Sequence, residues 1–128
     1  MGAAFITGGA LAINTKSPGA EGFEAKVGIT ISGGDIHIEA YDDGLSSNGP
    51  IRITGGNIFS QSSHNDGLDT NYGKVGCYVQ TGGHVELISL AGPPEESLDT
   101  DWTPITHEGG DLIVKPDLQK EPNFHFQP

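Results

Sequence analysis

The sequence is poor in basic residues, cysteine and aromatic side chains. Six Lys and Arg residues stand against seventeen Asp and Glu in 128 residues, which gives a formal net charge of −11 at pH 7. This charge disfavours nucleic acids and anionic membrane surfaces as direct partners, because both would be repelled. The single cysteine, Cys77, excludes an internal disulfide and a cysteine-rich structural zinc site.

Long hydrophobic runs are also missing. No apolar stretch approaches the roughly 20 residues that a membrane-spanning helix needs, and the N-terminus lacks the charged start and apolar stretch of a signal peptide. Glycine is abundant, with 20 residues, and each glycine costs a helix about 1 kcal/mol. At this length the chain is one domain. We therefore expect a single turn-rich β domain that does not insert into a membrane.

Pairs of adjacent glycines recur along the chain at nearly constant spacing. The pairs begin at Gly8, Gly33, Gly55, Gly82 and Gly109, so that the spacings are 25, 22, 27 and 27 residues. Such a period is typical of one solenoid coil. Apolar and polar residues alternate around the pairs, as half-buried strands require. The sequence predicts an all-β parallel β-helix of four to five coils over residues 1–116, with bends at the glycine pairs and an irregular tail at 117–128.

Superposition of the coils on their glycine pairs aligns apolar residues in three columns that would stack inward. The columns contain Leu11, Ile36, Ile58, Val85 and Leu112; Ile13, Ile38, Ser60, Leu87 and Val114; and Phe23, Leu45, Leu68 and Leu98. Three columns predict a three-sided coil, stabilised by stacking on its neighbours at about 4.8 Å. The alternation slips before Gly82, where Gln80 takes the place of an isoleucine, and we expect a bulge that turns Cys77 and Val79 inward.

An acidic turn recurs half a coil away from each glycine pair. Aligned by phase, the turns form three rows: Glu21, Asp43, Asp66 and Glu96; Glu24, Ser46, Asp69 and Asp99; and Ala20, Asp42, Asn65 and Glu95. In stacked coils the members of a row lie about 5 Å apart, and two carboxylates at that distance repel by roughly 3 kcal/mol at an effective dielectric constant of 20. The glycine that follows the acid is expected to supply a left-handed backbone.

A bound cation would neutralise this strip of acids. Carboxylate, amide and carbonyl oxygens without nitrogen or sulfur partners match calcium better than zinc or copper. The sequence therefore predicts Ca²⁺ between consecutive acidic turns. The candidate ligands are Asp43, Asp66, Asp69, Glu96, Asp99, Asp42, Asn65, Glu21 and Glu24, with Glu95 alongside them.

The acidic turns and glycine-pair strands together carry a resemblance to a known family. The stretches 19–26, 29–34, 41–45, 65–69 and 94–99 resemble the bacterial secreted carbohydrate-binding β-helix family, which is pectate-lyase-like. The resemblance implies a right-handed solenoid, a secreted or cell-surface location, and binding of cellulose or an acidic polysaccharide. It also implies calcium held between coils by Asp42, Asp43, Asn65, Asp66, Asp69, Glu95, Glu96 and Asp99, with Ser46 as a departure that weakens one site.

Three functions are compatible with these features. The leading hypothesis is a non-catalytic, calcium-dependent carbohydrate-binding module, in which Tyr41, Tyr72, Tyr78 or Trp102 stack on sugar faces. The enzyme alternative is a calcium-dependent polysaccharide lyase, with Arg52, Lys26 or Lys74 as the base. The third is a head-to-tail filament through open solenoid ends, with Phe124 and Phe126 capping or docking. The histidines share no phase and are interpreted as surface residues; they are His37, His64, His84, His107 and His125.

Overall fold

A computed structural model describes residues 2–70, 78–92, 95–100 and 105–116, together with the backbone of 124–126. The described residues form fifteen strands in three sheets and no helix. The first sheet holds β1 (Ala3–Ile6), β4 (Gly28–Ile31), β7 (Ile51–Ile53), β10 (Tyr78–Gln80), β13 (Ile105–His107) and β15 (Phe124–Phe126). The second holds β2 (Ala10–Asn14), β5 (Asp35–Ala40), β8 (Asn57–Ser62), β11 (His84–Ser89) and β14 (Asp111–Lys115). The third holds β3 (Phe23–Glu24), β6 (Leu45–Ser47), β9 (Leu68–Thr70) and β12 (Leu98–Asp99).

The chain visits the three sheets in turn, so that each coil contributes one strand to each side. Every strand pairs in parallel with the equivalent strand of the next coil, for example Ile36 with Ile58 and Leu45 with Leu68. Four complete coils, from β1 to β12, are followed by β13 and β14 of a fifth coil and by β15, which begins a sixth. The prediction of an all-β parallel solenoid with a three-sided coil is confirmed.

The glycine pairs lie at the bend between the first and second sheets, as predicted. The second glycine of every pair has a positive φ, between 80° at Gly110 and 104° at Gly34, a region that side chains with a Cβ avoid. From the second coil onward, the first glycine is required by close approach of the coils. A Cβ on Gly33 would lie 2.6 Å from the carbonyl oxygen of Thr7 in the preceding coil. Each glycine pair thus bends the chain and allows adjacent coils to stack closely.

The three predicted columns form the core. Their members in the middle coils are buried, and those of the first and last coils, such as Leu11 and Leu112, are partly exposed. This gradient follows from the architecture, since each coil is covered by its neighbours. Ser60 is the polar exception within a column, and its hydroxyl donates a hydrogen bond to the carbonyl oxygen of Gly67 at 2.7 Å.

The expectation of a bulge before Gly82 is wrong. β10 stays in register with β7, and Tyr78 and Gln80 point inward, both fully buried. The core accepts them because their polar atoms are satisfied: the Tyr78 hydroxyl donates to Gln80 Oε1 at 3.0 Å, and Gln80 Nε2 donates to the carbonyl oxygen of Asp111 at 2.9 Å. Val79 lies on the outer face, and Cys77 lies outside the described residues.

The C-terminal tail also differs from the expectation that it is irregular throughout. Residues 124–126 form β15, which pairs in parallel with β13 and extends the first sheet by one strand. Their alternating sequence, Phe-His-Phe, suits a strand that continues the sheet.

Candidate functional site

The acidic turns lie at the corner between the second and third sheets. Backbone hydrogen bonds stack them in the predicted phase, with Gly22 N donating to Asp43 O at 2.9 Å and Gly44 N donating to Asp66 O at 3.0 Å. We call the row of Glu21, Asp43, Asp66 and Glu96 the acidic ladder. The second row is aligned as well, because Asp69 is the register partner of Ser46 and of Asp99.

Within the ladder, the carboxylates of Glu21, Asp43 and Asp66 each accept a hydrogen bond from the backbone of the next coil. Asp66 N donates to Asp43 Oδ1 at 3.1 Å, and Glu96 N donates to Asp66 Oδ1 at 2.7 Å. The N–H of Asp43 bonds to the Glu21 carboxylate in the same way. Asp43 and Asp66 are buried, with 5% and 3% exposure. These side chains therefore tie consecutive coils together while their charges lie out of water.

The structure brings the ladder acids into two clusters. Carboxylate oxygens of Asp43, Asp66 and Asp69 lie within 4.8 Å of one another, as do those of Glu21, Asp42 and Asp43. The Asp69 side chain is hydrogen bonded to Asp43, and the Asp99 side chain to Asp66. A hydrogen bond between two carboxyl groups needs a proton on one of them. Each pair therefore needs either a proton or a cation to balance its charge.

Burial raises the pKa values of three acids in this region. The pKa of Asp66 rises to about 9 because of burial and the nearby Asp99 charge. The pKa of Glu21 rises to about 7 through burial and the charges of Asp43 and Asp42, and burial raises the pKa of Asp43 to about 6. At neutral pH the ladder therefore favours a bound proton or cation over bare charge.

The donor set fits calcium. Both clusters consist of carboxylates alone, and calcium prefers six to eight oxygen ligands in flexible geometry. Glu21 Oε1 is buried without a hydrogen-bond partner in the described structure, so it is an available ligand. Ser46, whose register partner is Asp69, replaces a carboxylate between the first two coils, in line with the predicted departure.

Of the remaining predicted ligands, the acids are not members of these two clusters, and Asn65 borders one of them. Asn65 donates a side-chain hydrogen bond to Asp42, and Glu24 forms an ion pair with Lys26 at 2.9 Å. Asp99 and Glu96 both contact Asp66, through a carboxyl pair and a backbone hydrogen bond respectively. The backbone of Glu95 bonds to Gly92 O at 3.0 Å.

The glycines after the acids have a different role from the one expected. Gly22, Gly44 and Gly67 are not among the glycines with positive φ. They are needed because the coils approach closely: a Cβ on Gly44 would clash with Ser60 Oγ and lie 2.6 Å from Gly67 O. In the fourth coil Ser97 takes the place of this glycine, directly before β12, which is the edge strand of the third sheet among the described residues. Its hydroxyl donates to Pro116 O at 2.7 Å.

The aromatic candidates separate into different environments. Tyr41 is half-buried and stacks on His64, with ring centroids 3.8 Å apart and planes at 10°. Tyr78 is fully buried, so its predicted role in sugar stacking is wrong; Tyr72 and Trp102 lie outside the described residues. The sequence reasoning missed a second stack, in which His37 and Phe59 have centroids 4.6 Å apart.

Part of the chain that carries the repeat and the acidic turns matches a known protein family. A family model described as "Carbohydrate-binding domain-containing protein" matches residues 3–67, half of the chain. The chain belongs to this family. No curated protein and no solved structure matches the chain. The matched residues include both acid clusters apart from Asp69, and both aromatic stacks. Membership indicates a carbohydrate-binding role and fits a protein without catalytic activity of its own.

The basic residues proposed for a lyase do not join the acidic ladder. Arg52 is exposed on β7, in the first sheet, whereas the ladder adjoins the third. Lys26 is paired with Glu24, and Lys74 lies outside the described residues. Of the histidines taken as surface residues, His107 is buried, and its Nε2 lies 2.9 Å from Gly110 O. The described residues contain no helix that could span a membrane.

Proposed function

We propose that the chain is a non-catalytic carbohydrate-binding module whose acidic ladder binds calcium between consecutive coils. The observation that carries the calcium proposal is the cluster of Asp43, Asp66 and Asp69, whose carboxylate oxygens lie within 4.8 Å although two of the three side chains are buried. Family membership supports the carbohydrate-binding part.

The ion would act mainly as a lock between coils. Asp43 belongs to the second coil, whereas Asp66 and Asp69 belong to the third, so that one ion would join both. A second ion at Glu21, Asp42 and Asp43 would join the first coil to the second. Because Asp43 and Asp66 are almost completely buried, an ion on them is better placed to stabilise the solenoid than to bridge to a uronate polymer.

We also propose a secreted or cell-surface location, as the resemblance implied. Extracellular modules bind calcium with dissociation constants on the order of 10⁻⁴–10⁻³ M, a range suited to a site that shares its ligands between coils. Head-to-tail assembly stays a prediction.

Calcium titration with thermal melting tests the metal proposal. After treatment with EDTA at pH 7.5, we expect the melting temperature to rise with added CaCl₂ and to respond less to MgCl₂, which demands stricter octahedral geometry. An unchanged melting temperature would refute calcium binding.

Affinity electrophoresis through gels that contain polysaccharides tests the carbohydrate-binding part separately. We expect slower migration in at least one polysaccharide gel. Incubation with polygalacturonate and calcium should give no unsaturated product in the ultraviolet; a product lost on Arg52→Ala would favour the lyase instead.

A further inference from the structure

A strip of aromatic and polar side chains lies on the outer face of the second sheet. Side chains alternate along β5 and β8, so that Asp35, His37 and Glu39 point outward from one strand, and Asn57 and Phe59 from the next. His37 and Phe59 are register partners, and their rings stack with planes at 16°. These two coils thus present a stacked pair of aromatic rings outside the acid clusters.

Small residues beside these rings leave room for a ligand. On β2, Ala10 is the register partner of Asp35, and Ala12 that of His37. The result is a surface depression of about 370 Å³, lined by both alanines and by Asp35, His37, Asn57 and Phe59. Both small alanines and both stacked rings therefore line the same depression.

A second depression lies further along the same strands. It has a volume of about 220 Å³, and Asn14, Glu39, Tyr41 and Gln61 are among its lining residues. Tyr41 follows His37 by four residues, which corresponds to roughly 13 Å of extended strand. Because Tyr41 stacks on His64, two aromatic stacks border one path along β5. Such a path suits an extended chain better than a single small molecule.

The polar groups on this path match sugar hydroxyls. Asn57 Nδ2 donates to Asp35 Oδ1 at 3.1 Å, so the second carboxylate oxygen of Asp35 is available to accept from a hydroxyl. His37 Nε2 lies 2.8 Å from Glu39 Oε2, which holds the ring in place. Flat rings with a few oriented polar groups are the common composition of a ligand site.

The charge of this face selects against acidic sugars. The outward residues of the second sheet include four acids, Asp35, Glu39, Glu86 and Asp111, and one lysine, Lys115, which is 3.3 Å from Glu86. Lys16, just after β2, lines the second depression as a further cation, so the acids still outnumber the lysines on this face. A uronate chain would be repelled here, whereas neutral hydroxyls can donate to the carboxylates.

We propose that the strip of Asp35, His37, Tyr41, Asn57 and Phe59 binds an extended, neutral polysaccharide chain that runs along β5. The proposal rests on the carbohydrate-binding function proposed above and gives that function a place and a ligand class. It also separates the sugar surface from the calcium clusters.

The test compares Phe59→Ala with Phe5→Ala in gels that contain hydroxyethyl cellulose, xylan, glucomannan or polygalacturonate, with calcium present throughout. Phe5 is a matched control because it is 72% exposed on β1, in the first sheet. We expect the wild type to bind a neutral polymer, Phe59→Ala to bind it about five- to tenfold more weakly, and Phe5→Ala to bind like the wild type.

A second variant, Ala12→Met, fills the depression without removing a ring and should weaken binding as well. Circular dichroism confirms that each variant is folded, and Phe59→Tyr should restore binding. If the wild type binds but Phe59→Ala and Ala12→Met bind equally well, the strip is refuted and the proposed function stands. Binding to polygalacturonate alone would refute the neutral ligand. A wild type that binds none of the four polymers would overturn the carbohydrate-binding function and the strip together.

Discussion

Replacement of Asp66 by asparagine should stabilise the calcium-free protein, although it alters a buried residue. Asp66 accepts the N–H of Glu96 through Oδ1 at 2.7 Å, and asparagine keeps an oxygen acceptor at that position. Its amide group would also donate to Asp99, whose side chain now forms a hydrogen bond with Asp66. Asp66→Asn thus keeps the hydrogen bonds and removes a buried carboxyl group that the calcium-free protein must otherwise protonate or leave charged.

The expected gain follows from the spacing of the carboxylates. The carboxylate oxygens of the Asp43, Asp66 and Asp69 cluster lie within 4.8 Å of one another, so two ionised groups there would repel by at least about 3.5 kcal/mol at an effective dielectric constant of 20. In the calcium-free protein either this repulsion or the proton binding that avoids it lowers stability once the pH is well above the ordinary Asp pKa. For a chain of this length that free energy corresponds to a melting temperature higher by roughly 10 °C.

The sign of the pH dependence follows from proton binding. The pKa of Asp66 is about 9 in the folded protein against 3.8 for an ordinary Asp, so between these values the folded state binds more protons than the unfolded state. The stability of the calcium-free wild type should therefore fall as the pH rises from 4 to 9. Asp66→Asn should lack this contribution, so its advantage should grow over the same range.

Thermal melting at pH 4, 6 and 8, in EDTA or in 10 mM CaCl₂, measures both effects. Calcium at 100 times its dissociation constant would stabilise the wild type by about 2.7 kcal/mol, and most of this should be lost in Asp66→Asn. Asp111→Asn makes the same substitution at a side chain that is 74% exposed and should change little. A lower melting temperature of Asp66→Asn in EDTA at pH 8, or an equal calcium response in all three proteins, would refute the reasoning.

Two further predictions test the core and the coil spacing. Tyr78→Phe removes the hydrogen bond to Gln80 and should lower the free energy of unfolding by about 1–2 kcal/mol without changing polysaccharide affinity, since Tyr78 is buried; weaker binding by a folded variant would contradict this. Gly44→Ala places a Cβ 2.6 Å from Gly67 O and should cost at least about 2 kcal/mol in urea unfolding. Gly8→Ala, with nothing within 4 Å, is its control, and equal effects of the two would argue against close coil contact.

The fold was predictable because one physical requirement repeats in every coil. In every coil the chain must bend, pack closely on the adjacent coil and bury an apolar side chain at the same position. These needs produce the recurring glycine pairs and the apolar columns, such as the one that contains Leu45 and Leu68. The predicted bulge in the fourth coil was wrong because Tyr78 and Gln80 carry polar groups that are costly to bury without hydrogen-bond partners. Their burial depends on hydrogen bonds to each other and to Asp111, a residue 31 positions from Gln80, which alternation alone does not reveal.

The acidic ladder was predictable in phase but not in its contacts. Alignment of the coils with one another places Glu24 in a row with the other acids. Its side chain nevertheless pairs with Lys26, because local partners set the direction of a side chain. The stack of His37 and Phe59 was missed although a signal existed. These residues are 22 positions apart, the same spacing as Gly33 and Gly55, so alignment of the outward positions would have paired them.

The positions of the clusters and the strip suggest how calcium would influence sugar binding. Tyr41, at one end of the strip, directly precedes Asp42 and Asp43 of the acid clusters, and both aromatic stacks are formed between the second and third coils. An ion at Asp43 and Asp66 would join those same two coils, so its loss would loosen the ring stacks without removing any group that contacts sugar. Asp66→Asn separates the two roles: if the charge of the ladder matters only through coil stacking, this variant should bind the neutral polysaccharide equally well in EDTA and in calcium, while the wild type loses affinity in EDTA.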